Sequence, residues 1–104
     1  MLIPHEIETT LPALYEQDGA KDPMVHLKFF NPTGGQSWYL TEYNAEENLA
    51  FGWVDLSNGL PELGYFSISE LENIELPYHQ KIERDVYFKP SPLSQIKAES
   101  RSAG

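Results

Sequence analysis

Glu42 and Asp55 are the residues of this chain whose setting comes nearest to acid–base chemistry. Both fall in apolar, strand-like stretches beside Trp38, Tyr39, Tyr43 and Trp53. A carboxyl group walled by aromatic rings has its charged form disfavoured, and it then serves as a proton donor or acceptor. The same carboxylates at strand ends facing water are ordinary surface charges. Histidines add nothing to a site, because His5, His26 and His79 are far apart and none has a ligand partner at metal-binding spacing. His26 falls on the polar phase of its strand and is expected at the surface. Gly34-Gly35 lies in a turn cluster with no following lysine, so it is a turn and not a phosphate loop. A Gly-x-Ser-x-Gly elbow is absent. The motifs therefore assign no catalytic, cofactor-binding or metal-ligating residue, and no cofactor is expected. Arg84, between Glu83 and Asp85, is expected to pair with a carboxylate and fasten the last strand.

Charge narrows the function classes. The 104 residues carry 16 acids against 7 Lys and Arg, a net charge of −9. Lys28 is followed by no basic residue until Lys81, while eight acids lie from Glu42 to Glu75. Binding to a phosphate backbone needs clustered cations, so direct nucleic-acid binding is not expected. Most aromatics lie between Phe29 and Phe88, and residues 29–80 hold no Lys or Arg, which favours core filling over base stacking. Aromatics that the core leaves out would mark a contact surface. With no cysteine, a disulfide scaffold and a thiolate zinc site are excluded. The N-terminus lacks the pattern of a signal peptide, and no apolar run is long enough for a membrane helix. The expectation is a cytoplasmic protein with no membrane contact. It has one domain over residues 1–97 and a frayed, flexible tail over 98–104.

The elements that must position these residues form an α+β domain. Alternating or aromatic runs predict an antiparallel meander of four strands near 25–30, 37–43, 49–56 and 62–66, with a further strand near 85–88. In the third strand Leu49, Phe51 and Trp53 share a face, which is expected to enter the core, leaving Ala50, Gly52 and Val54 as a small face that another segment can approach. Asn58-Gly59 predicts a tight turn. Pro4 is expected at the first position of a short helix with an Ile3, Ile7, Leu11 stripe, ended by Pro12. Ser67 and Glu70 fit a capping box, with Phe66 and Leu71 as its hydrophobic staple, for a helix over 68–74. Ser91-Pro92 predicts a last short helix that packs through Leu93 and Ile96. Short helices thus cover one face of the sheet and its ends.

These residues resemble a known family. Lys28-Phe29-Phe30-x-Pro32, Trp38-Tyr39-x-Thr41-Glu42, Phe51-Gly52 and Glu62-x-Gly64-Tyr65-Phe66-Ser67-x-Ser69-Glu70-Leu71 are similar to the bacterial domain of unknown function 2958. Ile82-Glu83-Arg84-Asp85, with Phe88, Pro90 and Pro92-Leu93 after it, extends the resemblance over about residues 2–96. The resemblance implies no established activity and no catalytic residue. Members of that family are often carried on plasmids and other mobile elements, which raises the expectation of a host-interaction or anti-defence role.

The functional expectation is a non-enzymatic interaction domain whose acidic, aromatic surface binds a protein partner with a basic surface. Its candidate binding residues are Trp38, Tyr39, Glu42, Tyr43, Glu46, Glu47 and Asp55. The alternative is a small ligand-binding or hydrolase-like enzyme using carboxylates in an aromatic pocket.

Overall fold

A computed structural model describes residues 1–103. It is an α+β fold built on a five-stranded antiparallel sheet. Val25, Leu27 and Phe29 all point inward, as their alternation predicts, but the extended segment divides at His26. β1 (Met24–Val25) pairs with β7 (Ser91–Pro92) in a small two-stranded sheet. β2 (Leu27–Phe30) joins β3 (Ser37–Asn44), β4 (Leu49–Asp55), β5 (Glu62–Ser67) and β6 (Glu83–Arg84) in the large one. Its order is β5-β4-β3-β2-β6, so β5 and β6 are its edges. The predicted meander is thus present with each strand boundary within a residue or two.

α1 (His5–Glu8) has Pro4 as its N-cap, one position earlier than expected. Ile7 and Leu11 pack against the first core. α2 (Ile68–Asn73) starts where the capping box places it, with Ser67 Oγ accepting from the Glu70 N–H at 3.2 Å. Phe66 and Leu71 are both buried in one cluster, as the staple requires. Asn48 supplies the remaining acceptors. Its carbonyl takes the Ile68 N–H at 3.2 Å, and its side chain takes the Ser69 N–H.

Three expectations are corrected. First, residues 85–88 form a turn and the strand lies at Glu83–Arg84. Asp85 Oδ1 accepts from the Tyr87 N–H and the Asp85 carbonyl from the Phe88 N–H, closing the chain on itself and leaving Val86 and Tyr87 exposed. Second, Arg84 makes no ion pair among the described residues, and β6 is fastened by main-chain pairing to β2. Third, β4 turns its small face to the main core. Ala50 is fully buried and Gly52 is buried, while Phe51 and Trp53 are half-buried on the opposite face. Phe29, Trp38, Leu40 and Phe66 already fill that core, and beside them only small residues fit. A Cβ on Gly52 would overlap the Tyr39 carbonyl oxygen of the paired strand β3, so the crowding that requires glycine comes from the neighbouring strand and not from a segment laid over the small face.

The connection after β4 is also longer than a two-residue turn. It spans residues 56–61, with Gly59 at φ +79° and Asn58 Oδ1 accepting from the Leu60 N–H. Ser91 and Pro92 belong to β7, and the capping is done from afar. Asp22 accepts from both the amide and the hydroxyl of Ser94 in α3 (Leu93–Ala103). Leu93 and Ile96 are buried as predicted. They form a second core with Val25, packed by Tyr39, Trp53 and Phe88 on the reverse face of the sheet. Residues 98–103 of the expected tail have helical backbone, and Gly104 lies outside the described residues.

Candidate binding face

One irregularity in β3 sets the site. Leu40 lies opposite Gly52, but the next pair is Glu42 opposite Phe51, so Thr41 is an extra residue in a β-bulge. Directly opposed residues share a sheet face. Strict alternation would send Glu42 to the main core and Tyr43 to the reverse face. The bulge reverses both, as bulges do when they re-aim a side chain. Thr41 itself is buried and donates its hydroxyl to the Phe51 carbonyl at 2.9 Å.

Glu42 is 6% exposed, and its carboxylate on the reverse face is engaged by main chain. Oε1 accepts from the Tyr15 N–H at 3.0 Å and Oε2 from the Gln17 N–H at 2.5 Å. A buried carboxylate is tolerable only when donors compensate its desolvation, and here two amides do so. Gln17 extends the arrangement by donating to the Thr41 and Met24 carbonyls and accepting from the Met24 N–H. Glu42 thereby folds the loop 13–23 over the sheet. Tyr15 takes φ +69° in that loop, and its hydroxyl accepts from the Tyr65 hydroxyl at 3.4 Å. This hydrogen bond is the first cause of the Tyr65 phenol's raised pKa, followed by burial and by the negative charges of Glu42 and Asp18.

Beneath the loop lies a pocket of about 410 Å³ walled by Tyr15, Glu42, Phe51, Leu63, Tyr65 and Lys97. A second hollow of about 470 Å³ lies beyond the two tyrosines, against Leu14, Glu47 and Leu49. A third, of about 140 Å³, flanks β5 between Val54, Leu56, Leu60 and Glu62. Tyr65 borders all three. Around it the apolar surface is open: Leu63 is 45%, Tyr65 51% and Tyr15 66% exposed.

The seven candidate residues do not form one cluster. Trp38 and Tyr43 are buried in the main core, where Asn48 donates to the Tyr43 hydroxyl at 3.1 Å. Burial pushes the Tyr43 phenol's pKa up. Tyr39 is half-buried in the second core, 6.4 Å from the Phe88 ring, with the Lys28 ammonium 5.5 Å from its own centroid. Glu42 reaches the pocket. Glu46 and Glu47 are exposed in the β3–β4 turn, and Glu47 borders the second hollow. Asp55 is four residues along β4 from the partner of Glu42, about 13 Å away, and its carboxylate accepts from the Ser57 N–H. The two carboxylates singled out for acid–base work are therefore not brought together. Tyr15, Leu63, Tyr65 and Lys97 were missed. Leu63 and Tyr65 carried a signal, since they alternate out of phase with buried Phe66. Nothing local marked Tyr15 or Lys97.

Among the described residues there is no cluster of His, Asp or Glu able to hold a metal ion, and no helix is long and apolar enough to cross a membrane. The family model described as Protein of unknown function (DUF2958) matches residues 2–104. The chain belongs to this family. Neither the curated proteins nor the solved structures contain a match to it. DUF2958 membership covers the whole sheet, the Glu42 loop and α3 together, so the open face is part of the family domain and not an appendage to it.

Proposed function

We propose that this DUF2958 chain is a non-enzymatic protein-interaction domain whose contact surface is the reverse face of β4 and β5. The observation that carries the reading is the open apolar group of Tyr15, Leu63 and Tyr65. An acid rims it, for Glu47 borders the hollow beside it, and Glu62 borders the hollow on the other side of β5. An exposed apolar patch with a polar rim is the usual form of a protein contact. Lys21 and Lys97 reach the pocket side of the patch, while the Glu47 side has no cation from residues 29 to 80, so the fitting partner meets that side with a basic surface. Engagement of Glu42 by main-chain amides supports a structural role for it over catalysis. A concrete form of this reading is a cytoplasmic factor of a mobile element that occupies a basic, nucleic-acid-binding surface on a host protein.

The test is capture of partners from a cell lysate at low and then high salt. Charge reversal at Glu46 and Glu47 should slow association without unfolding the domain, and Leu63→Ser should shorten the lifetime of the complex. Reversal at Glu83 should matter less, because Lys81 and Arg84 offset it locally. Micromolar binding to DNA or RNA at physiological salt would sink the reading. The pocket volume favours a second reading, a small-molecule site, since about 410 Å³ lies in the range of ligand cavities. A ligand that stabilises the chain and loses its effect in Phe51→Ala would support it.

A further inference from the structure

β5 is an edge strand that its neighbours leave open. Its pairing with β4 runs without a break from Leu49–Ser67 to Val54–Glu62. The Ile68 N–H donates to the Asn48 carbonyl, one step beyond that register. Opposed residues in an antiparallel ladder alternate between bonded and non-bonded pairs. Phe66, Gly64 and Glu62 are then the residues that exchange bonds with β4. The main-chain groups of Leu63, Tyr65 and Ser67 point away from the sheet. Edges are usually blunted by lysine, proline, a bulge or extreme shortness. β6, the opposite edge, is two residues long. β5 is six residues long and contains no lysine, proline or bulge.

Hollows flank this edge on both sides of the sheet. The one beside Val54, Leu56 and Leu60 has Glu62 at its border, and the one beside Leu14 and Leu49 has Glu47. A strand laid along β5 would place alternate side chains toward one hollow and then the other. Each has an apolar wall and a carboxylate, which suits the long stem and charged end of lysine or arginine.

We propose that the free edge of β5 receives an extended, Lys- or Arg-bearing segment of the partner protein as a sixth strand. This rests on the interaction reading above and specifies its geometry. A second copy of this chain is the poorer occupant, because two β5 edges would bring Glu62 and Glu47 of each copy together at a net charge of −9 per chain.

The experiment is amide exchange by NMR on the full wild-type chain. The probe is a short acetylated and amidated peptide alternating valine with arginine, and its control alternates valine with glutamate. The arginine peptide should slow exchange at Leu63, Tyr65 and Ser67 by about tenfold or more, and the glutamate peptide should not. Gly64 and Phe66 should already be protected without peptide. Leu63→Pro removes an outward amide while leaving the β4 ladder intact, and it should weaken binding about tenfold beyond Leu63→Ala. Equal losses in the two variants overturn strand addition. Resonance shifts on Tyr15, Phe51 and Tyr65 without new protection at the edge also overturn it, and leave the interaction reading standing. Absence of any change at millimolar peptide overturns it as well. Protection that rises with protein concentration alone would assign the edge to a second copy and overturn the proposal.

Discussion

Glu42 joins two backbone donors to one buried carboxylate, and its neutral isostere cannot serve both. Glu42→Gln would present an NH₂ group to one of the amides. The expected loss is about 1–3 kcal/mol, the usual cost of a buried donor left unpaired. A lower urea midpoint should accompany faster amide exchange at Tyr15 and Gln17, while the β2–β3 amides stay protected. Unchanged exchange in the loop would show that something other than the carboxylate holds it. The two phenylalanines at this scale differ in consequence. Phe29 is fully buried, so Phe29→Ala should cost about 3–5 kcal/mol. Phe51 is half-buried, at a ring distance of 4.9 Å from Tyr65, and Phe51→Ala should cost roughly half as much. A reversed ranking in denaturation midpoints would restore Phe51 to the main core.

At the scale of elements, α2 distinguishes what local pattern reveals from what it conceals. Ser67→Ala should cost about 0.5–2 kcal/mol by removing the cap on Glu70. Asn48→Ala should cost more, by thermal or urea midpoint. It removes the acceptor for Ser69 and the donor to Tyr43, and it places alanine at φ +56°, where asparagine is favoured. Ser67 was legible because capping acts over three residues. Asn48 was not, because it acts from the β3–β4 turn across 21 residues. The same division runs through the sheet. Strand positions followed from periodicity, but which side of β4 enters the core depends on the side chains other strands bring to it. The bulge at Thr41 is invisible to alternation, and it decides where Glu42 and Tyr43 point. Of the site, Glu42 was found by its aromatic setting, whereas Tyr15 and Lys97 reach the pocket only through tertiary folding.

For the whole molecule, acid should loosen the closure of the second core in two stages. Burial holds the His26 imidazole below its ordinary value of 6.5, with Glu16 opposing this in part. The unfolded chain therefore binds a proton first, and stability falls as pH drops from the ordinary value to the folded one. Hydrogen bonds from the Ser94 hydroxyl and amide hold Asp22 below its ordinary 3.8. Its contribution is present above that value and is lost as pH falls through the folded one. Urea midpoints should decline as pH falls below the ordinary histidine value of 6.5 and again below the ordinary aspartate value of 3.8, and His26→Gln should abolish the first decline. Trp53 reports on this closure, because the Lys97 ammonium lies 4.7 Å from its ring centroid. That arrangement has a consequence in time. Every strand of the large sheet precedes residue 85, whereas α3 begins at Leu93. A chain synthesised from its N-terminus completes the main core first, and Tyr39 and Trp53 stay uncovered until α3 brings Leu93 and Ile96 against them. The nascent protein is most prone to aggregation during that interval. A chain truncated after Pro90 should keep the protected amides of β2 and β3 yet bind a hydrophobic dye and self-associate, and the intact chain should do neither.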